Sequence, residues 1–378
     1  MKNSTYDAVA LFSGGLDSII AARLIQDQGL TVKCLHFVTP FFDNSNRIPF
    51  WKKTYGLNVT TVDIGNDFVA MMKKGPEYGF GSVLNPCVDC KILMMRKAKE
   101  IMEQCGAKMI VSGEVLGQRP MSQRKDTLNV IRRDADVKEC LIRPLCAKLL
   151  EETPMEASGL VDRSRLAAIS GRGRKKQLEF AAQLGITNFP SPAGGCRLTE
   201  VENGRSYWPV LHYSPAPDAN DFVLANTGRQ FWSFTATPPY RLIIGRNQAD
   251  NTRLVELARP GDILFKTASF PGPVSLARPF PDQKWSEATL ADAATFCASY
   301  SPKAVTFSTD SGKPVDVKMH TGPDFAAVLR HVEDGAVPSV PVSPNRETPL
   351  AWRENAWEEA KEEIRAMARQ KNGESHTA

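Results

Sequence analysis

The sequence predicts an α/β protein: a doubly wound parallel sheet followed by a second, smaller α/β (α+β) domain. Two observations carry this. Apolar strand patterns alternate with helical ones from residue 6 to about residue 111, and strands separated by helices pair as a parallel sheet. A proline-rich stretch at 209–217 then interrupts the chain, and a second mixed rhythm follows it. With 378 residues, two or three domains are expected, each large enough to bury a core without disulfide or metal staples.

Residues 6–12 read as the first strand. Residues 17–28 read as a helix with Ile19, Ile20, Leu24 and Ile25 inward, and 31–37 as the second strand. Asn44 is placed to cap the next helix. Residues 57–64 and 108–111 give the third and fourth strands, with a helix over 91–104. Ligands of such sheets bind at the carboxyl ends of the strands. Thr153-Pro154 has the pattern of a cap followed by proline in the first turn, and the segment from there to Leu184 reads as helical and basic. A loop from Asn188 to Cys196 closes this part. The expected division is 1–208, then 209–335, then a linker and helical tail over 336–378. Within the second domain, 241–244 and 262–266 read as strands around a helix at 247–257. Residues 288–300 follow as a helix, and 304–308 and 315–319 as short strands. Over 352–370, Trp357, Ala360, Ile364 and Met367 fall on one helical stripe; 371–378 reads as a frayed tail.

Hydrophobic residues make up 42% and charged residues 24%, a balance that excludes a largely disordered chain. No window approaches the ~20 apolar residues of a membrane span, and no apolar signal core is present. Secretion and membrane insertion are therefore not expected, and the expected location is cytoplasmic. The net charge of +5 permits a nucleic-acid partner without demanding one, since clustering matters more than the total. Eight cysteines in such a chain read as thiols, cluster ligands or catalytic groups rather than as a disulfide framework. Cys34, Cys105, Cys140, Cys146 and Cys297 lie in apolar surroundings and read as small buried hydrophobes.

The sharpest motif is Ser13-Gly14-Gly15-Leu16-Asp17-Ser18, between the first strand and the first helix. The glycines allow a tight turn and a close approach of backbone N–H groups to an anion. The helix that follows adds free N–H groups and the positive end of its dipole. Ser13 and Ser18 can donate hydroxyl hydrogen bonds. Asp17 would repel phosphates unless a cation intervenes, and Mg²⁺ would resolve that. The string lacks the Gly-Lys-Ser/Thr ending of P-loop kinases and GTPases. It resembles instead the PP-loop of the ATP pyrophosphatases, a superfamily with the adenine nucleotide alpha-hydrolase-like fold. That resemblance implies ATP cleavage to AMP and pyrophosphate with transient adenylation of a substrate oxygen.

The cysteines choose among the branches. Asn85-Pro86-Cys87-Val88-Asp89-Cys90-Lys91 precedes a helix, where the dipole stabilises a thiolate. The segment resembles the Asn-Pro-x-x-x-Cys motif of bacterial tRNA 2-thiouridylases of the MnmA type. Cys90 falls on that family's first cysteine, and Cys196, after Ser191-Pro-Ala-Gly-Gly, on its second. The resemblance implies a persulfide on one of the pair and sulfur release by the other. The chain departs from it by adding Cys87. Three thiolates, Cys87, Cys90 and Cys196, suit a [4Fe–4S] cluster with one open iron, as in related PP-loop thiolases. A zinc site would ordinarily want a fourth ligand. Cluster, persulfide pair and zinc all stay open at this point.

Ser112-Gly113-Glu114 stands where that family has a Thr-Gly-His segment near the nucleotide, so Gly113 is a candidate nucleotide contact. The following Gly117-Gln118-Arg119-Pro120-Met121-Ser122-Gln123 is placed to line the ATP or the base. Arg143-Pro144-Leu145 with Lys148 resembles the family's Pro-Leu…Lys stretch. Arg119, Arg124, Lys125, Arg132 and Arg133 form one basic stretch; Arg163, Arg165, Arg172, Arg174, Lys175 and Lys176 form another. Such groups position a nucleic-acid backbone without reading its sequence. In the second domain, Ile244-Gly245-Arg246-Asn247…Asn251, Pro260-Gly261-Asp262-Ile263-Leu264-Phe265-Lys266 and Pro271-Gly272-Pro273 resemble the NFACT-R RNA-binding module over about 241–309.

These resemblances imply an ATP-dependent tRNA sulfurtransferase acting on a uridine. ATP and Mg²⁺ would bind Ser13, Gly14, Gly15, Asp17, Ser18 and Gly113, with Cys90, Cys196 and Asp17 as the chemical residues. The partners are tRNA and a sulfur donor, namely a cysteine desulfurase, a sulfur carrier or sulfide. Two rivals stand beside this reading: a PP-loop amidoligase-like enzyme on a small molecule, and a non-catalytic RNA-binding protein with a vestigial nucleotide site.

Overall fold

The computed structural model describes residues 6–191, 195–321 and 338–374, with side chains to residue 366. Contacts divide the chain into two units, Met1–Glu200 and Val201–Ala378.

The first unit is built on five strands: β1 (Ala8–Leu11), β2 (Val32–Val38), β3 (Asn58–Asp63), β4 (Met109–Ser112) and β5 (Leu141–Ile142). All neighbours pair in parallel, in the order β3-β2-β1-β4-β5. The central strands β1 and β4 are buried at every residue, which is why they read as unbroken apolar runs. Helix Leu16–Gln26 buries Ile19, Ile20, Leu24 and Ile25 in the core shared with β1, β2 and β4. Strand order reverses between β1 and β4, so the loops leaving these two strands diverge and open a crevice between them.

Several local expectations change. Helix Cys87–Gln104 begins at Cys87 rather than at residue 91. Asn44 precedes a 3-10 turn, Ser45–Arg47, and makes no side-chain cap. Thr153 does cap, in a reciprocal capping box with Glu156, but its helix is only Pro154–Ala157. The stretch to Leu184 is therefore mostly irregular: Gly159 and Gly171 adopt positive φ, and helix resumes only at Lys175–Gln183. Pro209 lies inside helix Val201–Tyr213 rather than in a linker. Pro209 is the ninth residue of this helix, where it forgoes one backbone hydrogen bond without ending the helix.

The second unit carries β6 (Arg229–Ser233), β7 (Tyr240–Ile244), β8 (Ile263–Thr267), β9 (Ser275–Ala277), β10 (Val315–His320) and β11 (Ser339–Val342). They form one sheet, β11-β10-β8-β9-β7-β6, antiparallel throughout. Helix Gln248–Leu257 packs on it through Leu254, Val255 and Leu257. Residues 304–308 are not a strand but part of helix Pro302–Ser311, started by Ser301, whose hydroxyl accepts from the Ala304 N–H. Motif residues likened to the NFACT-R module hold this unit together. Asn247 caps its helix, the Asn251 side chain accepts from the Val274 N–H at 3.0 Å, and Asp262 pairs with buried Arg278 at 2.7 Å. The expected boundary near 335 and the tail from 375 lie outside the described residues, as does the side chain of Met367. Among the described residues no helix is long and apolar enough to cross a membrane.

Candidate active site

Loop 13–18 lies at the carboxyl end of β1, beside the crevice. Its turn is closed by its own hydroxyls. The Gly15 N–H donates to Ser13 Oγ at 3.3 Å, Ser13 Oγ donates to Ser18 Oγ at 3.3 Å, and Ser18 Oγ donates to the Gly15 carbonyl at 2.8 Å. No side chain caps helix Leu16–Gln26, so its first backbone N–H groups remain for an anion. Gly14 has φ of 76°, and a Cβ there would fall 2.1 Å from the Trp51 ring. Trp51 is buried edge-on against Phe12 and His36. The His36 ring bonds the Phe12 carbonyl through Nδ1 at 3.0 Å and accepts the Asn44 N–H on Nε2 at 3.3 Å, which fits the neutral tautomer with its proton on Nδ1. Burial lowers its pKa below the usual imidazole range. Trp51 and His36 thus brace the loop from beneath; neither was legible in the sequence, because nothing in their spacing links them to residue 14.

The loop after β4 meets the first from the other side. A Cβ on Gly113 would stand 2.8 Å from the Asp17 backbone and 2.9 Å from Ser18 Cα. This close approach needs glycine, and Gly113→Ala should push the two loops apart. The expected result is a loss of about 1–3 kcal/mol in stability, which thermal unfolding of the variant checks. Next to it, Glu114 and Arg143 form a buried ion pair at 2.8 Å. Burial acts to raise the Glu114 pKa, but Arg143, Lys91 and hydrogen bonds from Arg143 and Ser112 outweigh it and hold the carboxyl below its usual range.

Asp17 occupies the first turn of its helix. Burial raises its carboxyl above the usual range, opposed by hydrogen bonding from Gln118, by the charges of Arg174 and Arg119, and by Gln177. Its Oδ1 is buried with no hydrogen-bond partner. A half-buried carboxylate with a spare oxygen beside an anion loop fits a divalent cation such as Mg²⁺.

The cysteine segments come together in the same unit. The Leu84 N–H donates to the Leu198 carbonyl at 3.0 Å, tying the loop before helix Cys87–Gln104 to the turn that follows Cys196. Asn85, 4% exposed, donates from its amide to Cys87 Sγ at 3.3 Å. Cys90 feels both other thiols, but burial dominates and pushes it up to about 12. Burial also raises Cys196, helped by Cys87. The helix dipole therefore does not make Cys90 a ready thiolate: desolvation wins. Among the described residues no group of three or more His, Cys, Asp or Glu is disposed to hold a metal ion. Cys90 neighbours both Cys87 and Cys196. Residues 192–194 of the expected hinge before Cys196 lie outside the described residues.

The basic stretches divide by role. Arg163 is structural, bonded to Glu156 at 2.6 Å and to the Ala147 and Leu150 carbonyls. Arg132 pairs with Glu151 at 2.9 Å, and Arg133 with Asp134 at 2.6 Å. Arg119, Arg172, Lys175 and Lys176 are exposed. A cavity of about 690 Å³, lined by Leu116, Gly117, Arg124, Lys125, Asp126 and Asn129, opens beside the loop after β4.

Residues 3–152 match the family described as thiamine biosynthesis protein (ThiI). Residues 228–322 match the NFACT protein RNA binding domain. A probable tRNA sulfurtransferase of Thermococcus kodakarensis is 32% identical over 149 residues, covering 38% of this chain and 38% of that protein. A tRNA sulfurtransferase of Desulfurococcus amylolyticus is 29% identical over 146 residues, covering 36% of this chain and 29% of that protein. The chain thus spans about a third of the length of these curated relatives. A solved 4-thiouridine synthetase–RNA complex with bound ATP aligns at a TM-score of 0.31 and 20% identity, over 48% of this chain and 52% of that one. The family matched is the ThiI type, not the MnmA-like branch to which the cysteine motif was likened.

Proposed function

We propose that this chain is an ATP-dependent tRNA sulfurtransferase that thiolates a uridine through an adenylated base. The observation that carries the reading is the presence in one unit of an anion loop at the strand-order switch point and a neighbouring Cys90–Cys196 pair. The ThiI-family match over residues 3–152 supports it.

The triphosphate rests on the N–H groups of loop 13–18, with Ser13 and Ser18 hydroxyls beside it and Gly113 allowing the loops to close. Asp17 would hold Mg²⁺, which supplies charge neutralisation. A uridine carbonyl oxygen attacks the α-phosphorus, the α–β bridge breaks, and pyrophosphate leaves into a preorganised set of donors. The target base must leave its stack to reach the site, at a cost of a few kcal/mol. Sulfur then arrives as a persulfide on Cys90 or Cys196. Its terminal sulfur attacks the activated carbon, the carbon–oxygen bond breaks, and AMP departs. The second thiol attacks the sulfur of the cysteine that carried the persulfide, freeing the thiocarbonyl and leaving a Cys90–Cys196 disulfide for a thiol reductant to reset. The tRNA is held by exposed Arg119, Arg172, Lys175 and Lys176 and by the NFACT-like module. The persulfide comes by transfer of sulfane sulfur from the persulfide of a cysteine desulfurase or of a sulfur carrier, or from sulfide opening the Cys90–Cys196 disulfide, which releases the other cysteine as its thiolate. We place the reaction in the cytoplasm, where thiols stay reduced.

Radiolabelled ATP tests the first half-reaction. Pyrophosphate should form, and the label of α-labelled ATP should pass to the tRNA as an adenylate, only when tRNA is present; AMP should follow once the sulfur donor is added. Turnover without tRNA would favour the small-molecule amidoligase reading. Binding of tRNA with no pyrophosphate release would favour a vestigial nucleotide site.

A further inference from the structure

Gln177 lies on helix Lys175–Gln183 and is 0% exposed. Neither its amide nitrogen nor its amide oxygen has a hydrogen-bond partner. It lies against the Asp17 carboxyl, near enough for its amide to favour the charged form but outside hydrogen-bond geometry, and the Asp17 Oδ1 is likewise buried and unpartnered. Buried polar groups are nearly always paired, because an unmade bond leaves the full desolvation penalty in place. Three orphan polar atoms meeting from two elements far apart in sequence indicate a polar ligand that completes them. The surrounding charge gives its sign. Arg174, at the start of the same helix, and Arg119, on the loop after β4, both place positive charge on Asp17. A carboxylate, an amide and two guanidinium groups around an anion loop suit a cation bound together with a polyphosphate.

We propose that Gln177 is a positioning residue for Asp17 and that, with Arg174, it completes the site for a magnesium–nucleotide complex from helix Lys175–Gln183. The amide fixes the Asp17 carboxylate once the cation is bound, and Arg174 neutralises charge on the departing pyrophosphate. The inference rests on the reading of loop 13–18 as the nucleotide site.

Calorimetric titration of the full chain with ATP, in Mg²⁺ and in EDTA, tests it alongside ligand-free melting temperatures. In wild type, Mg²⁺ should tighten ATP binding. In Gln177→Met that gain should shrink about tenfold while the melting temperature holds or rises, because the variant removes an unpaired buried amide. In Arg174→Gln, inorganic pyrophosphate should bind about tenfold more weakly at unchanged melting temperature. A wild-type Mg²⁺ gain in Gln177→Met overturns the inference and leaves the nucleotide site standing. So does a melting temperature many degrees lower, which would make Gln177 a structural residue. So does unchanged pyrophosphate binding by Arg174→Gln. Wild-type protein that binds no ATP overturns the nucleotide reading itself.

Discussion

Asp17→Asn is expected to lower pyrophosphate release by a factor on the order of a hundred to a thousand while leaving the ligand-free protein at least as stable as wild type. The two halves have one cause. Burial disfavours the charged form of Asp17, and one carboxylate oxygen has no partner. A carboxyl whose pKa is raised in the folded state contributes stability that is lost as pH rises through that pKa, so at neutral pH the charge is a burden on the fold. The amide keeps the shape and removes the charge, which relieves the burden. It also removes the group that would hold Mg²⁺ against the phosphates. Thermal unfolding and pyrophosphate release on one preparation check both. A variant that releases pyrophosphate like wild type would remove Asp17 from the chemistry, and one that unfolds early would make it structural.

The second large effect falls on the thiols. Cys90→Ala and Cys196→Ala should each reduce thiolation of tRNA below about a thousandth of the wild-type rate while adenylation of the tRNA, read as pyrophosphate release, still occurs. Cys87→Ala should keep partial activity, because a persulfide pair needs only two sulfurs. Packing loss should be small, as Cys to Ala removes one buried atom and costs about 1 kcal/mol. If Cys87→Ala is also inactive, and protein purified without oxygen carries about four irons, the thiols must rearrange from the positions they take here into a cluster site. Thionucleoside yield and iron content of the three variants decide between the two.

The sheet was legible because β1, β2 and β4 are almost wholly buried, so their sequences are nearly unbroken apolar runs between turn signals. The anion loop was legible because its chemistry is local: six consecutive residues supply the turn, the hydroxyls and the acid. Two errors have a common origin in reading side-chain type over boundary signals. Ala304 to Ser308 has the β-branched and aromatic look of a strand, yet Ser301 capping ahead of Pro302 starts a helix. The stretch after Thr153 has the caps and charges of a helix, yet positive-φ glycines at 159 and 171 break it. Gln177, Trp51 and His36 carried no signal at all, since each acts on loop 13–18 across a distance only the fold supplies. The cysteine pair lies between these cases. Its motif pointed to the right segments, but the raised thiols come from burial, which spacing does not encode.

Mass spectrometry of the nucleosides in tRNA, after incubation with the full chain, ATP, Mg²⁺, a cysteine desulfurase with free cysteine as the source of persulfide sulfur, and a thiol reductant, tests the central claim most directly. The expected result is one uridine heavier by the exchange of oxygen for sulfur, formed one for one with AMP and absent when an α,β-nonhydrolysable ATP analogue replaces ATP. Unmodified tRNA alongside full AMP formation, or a thiolated uridine formed without ATP, would contradict it.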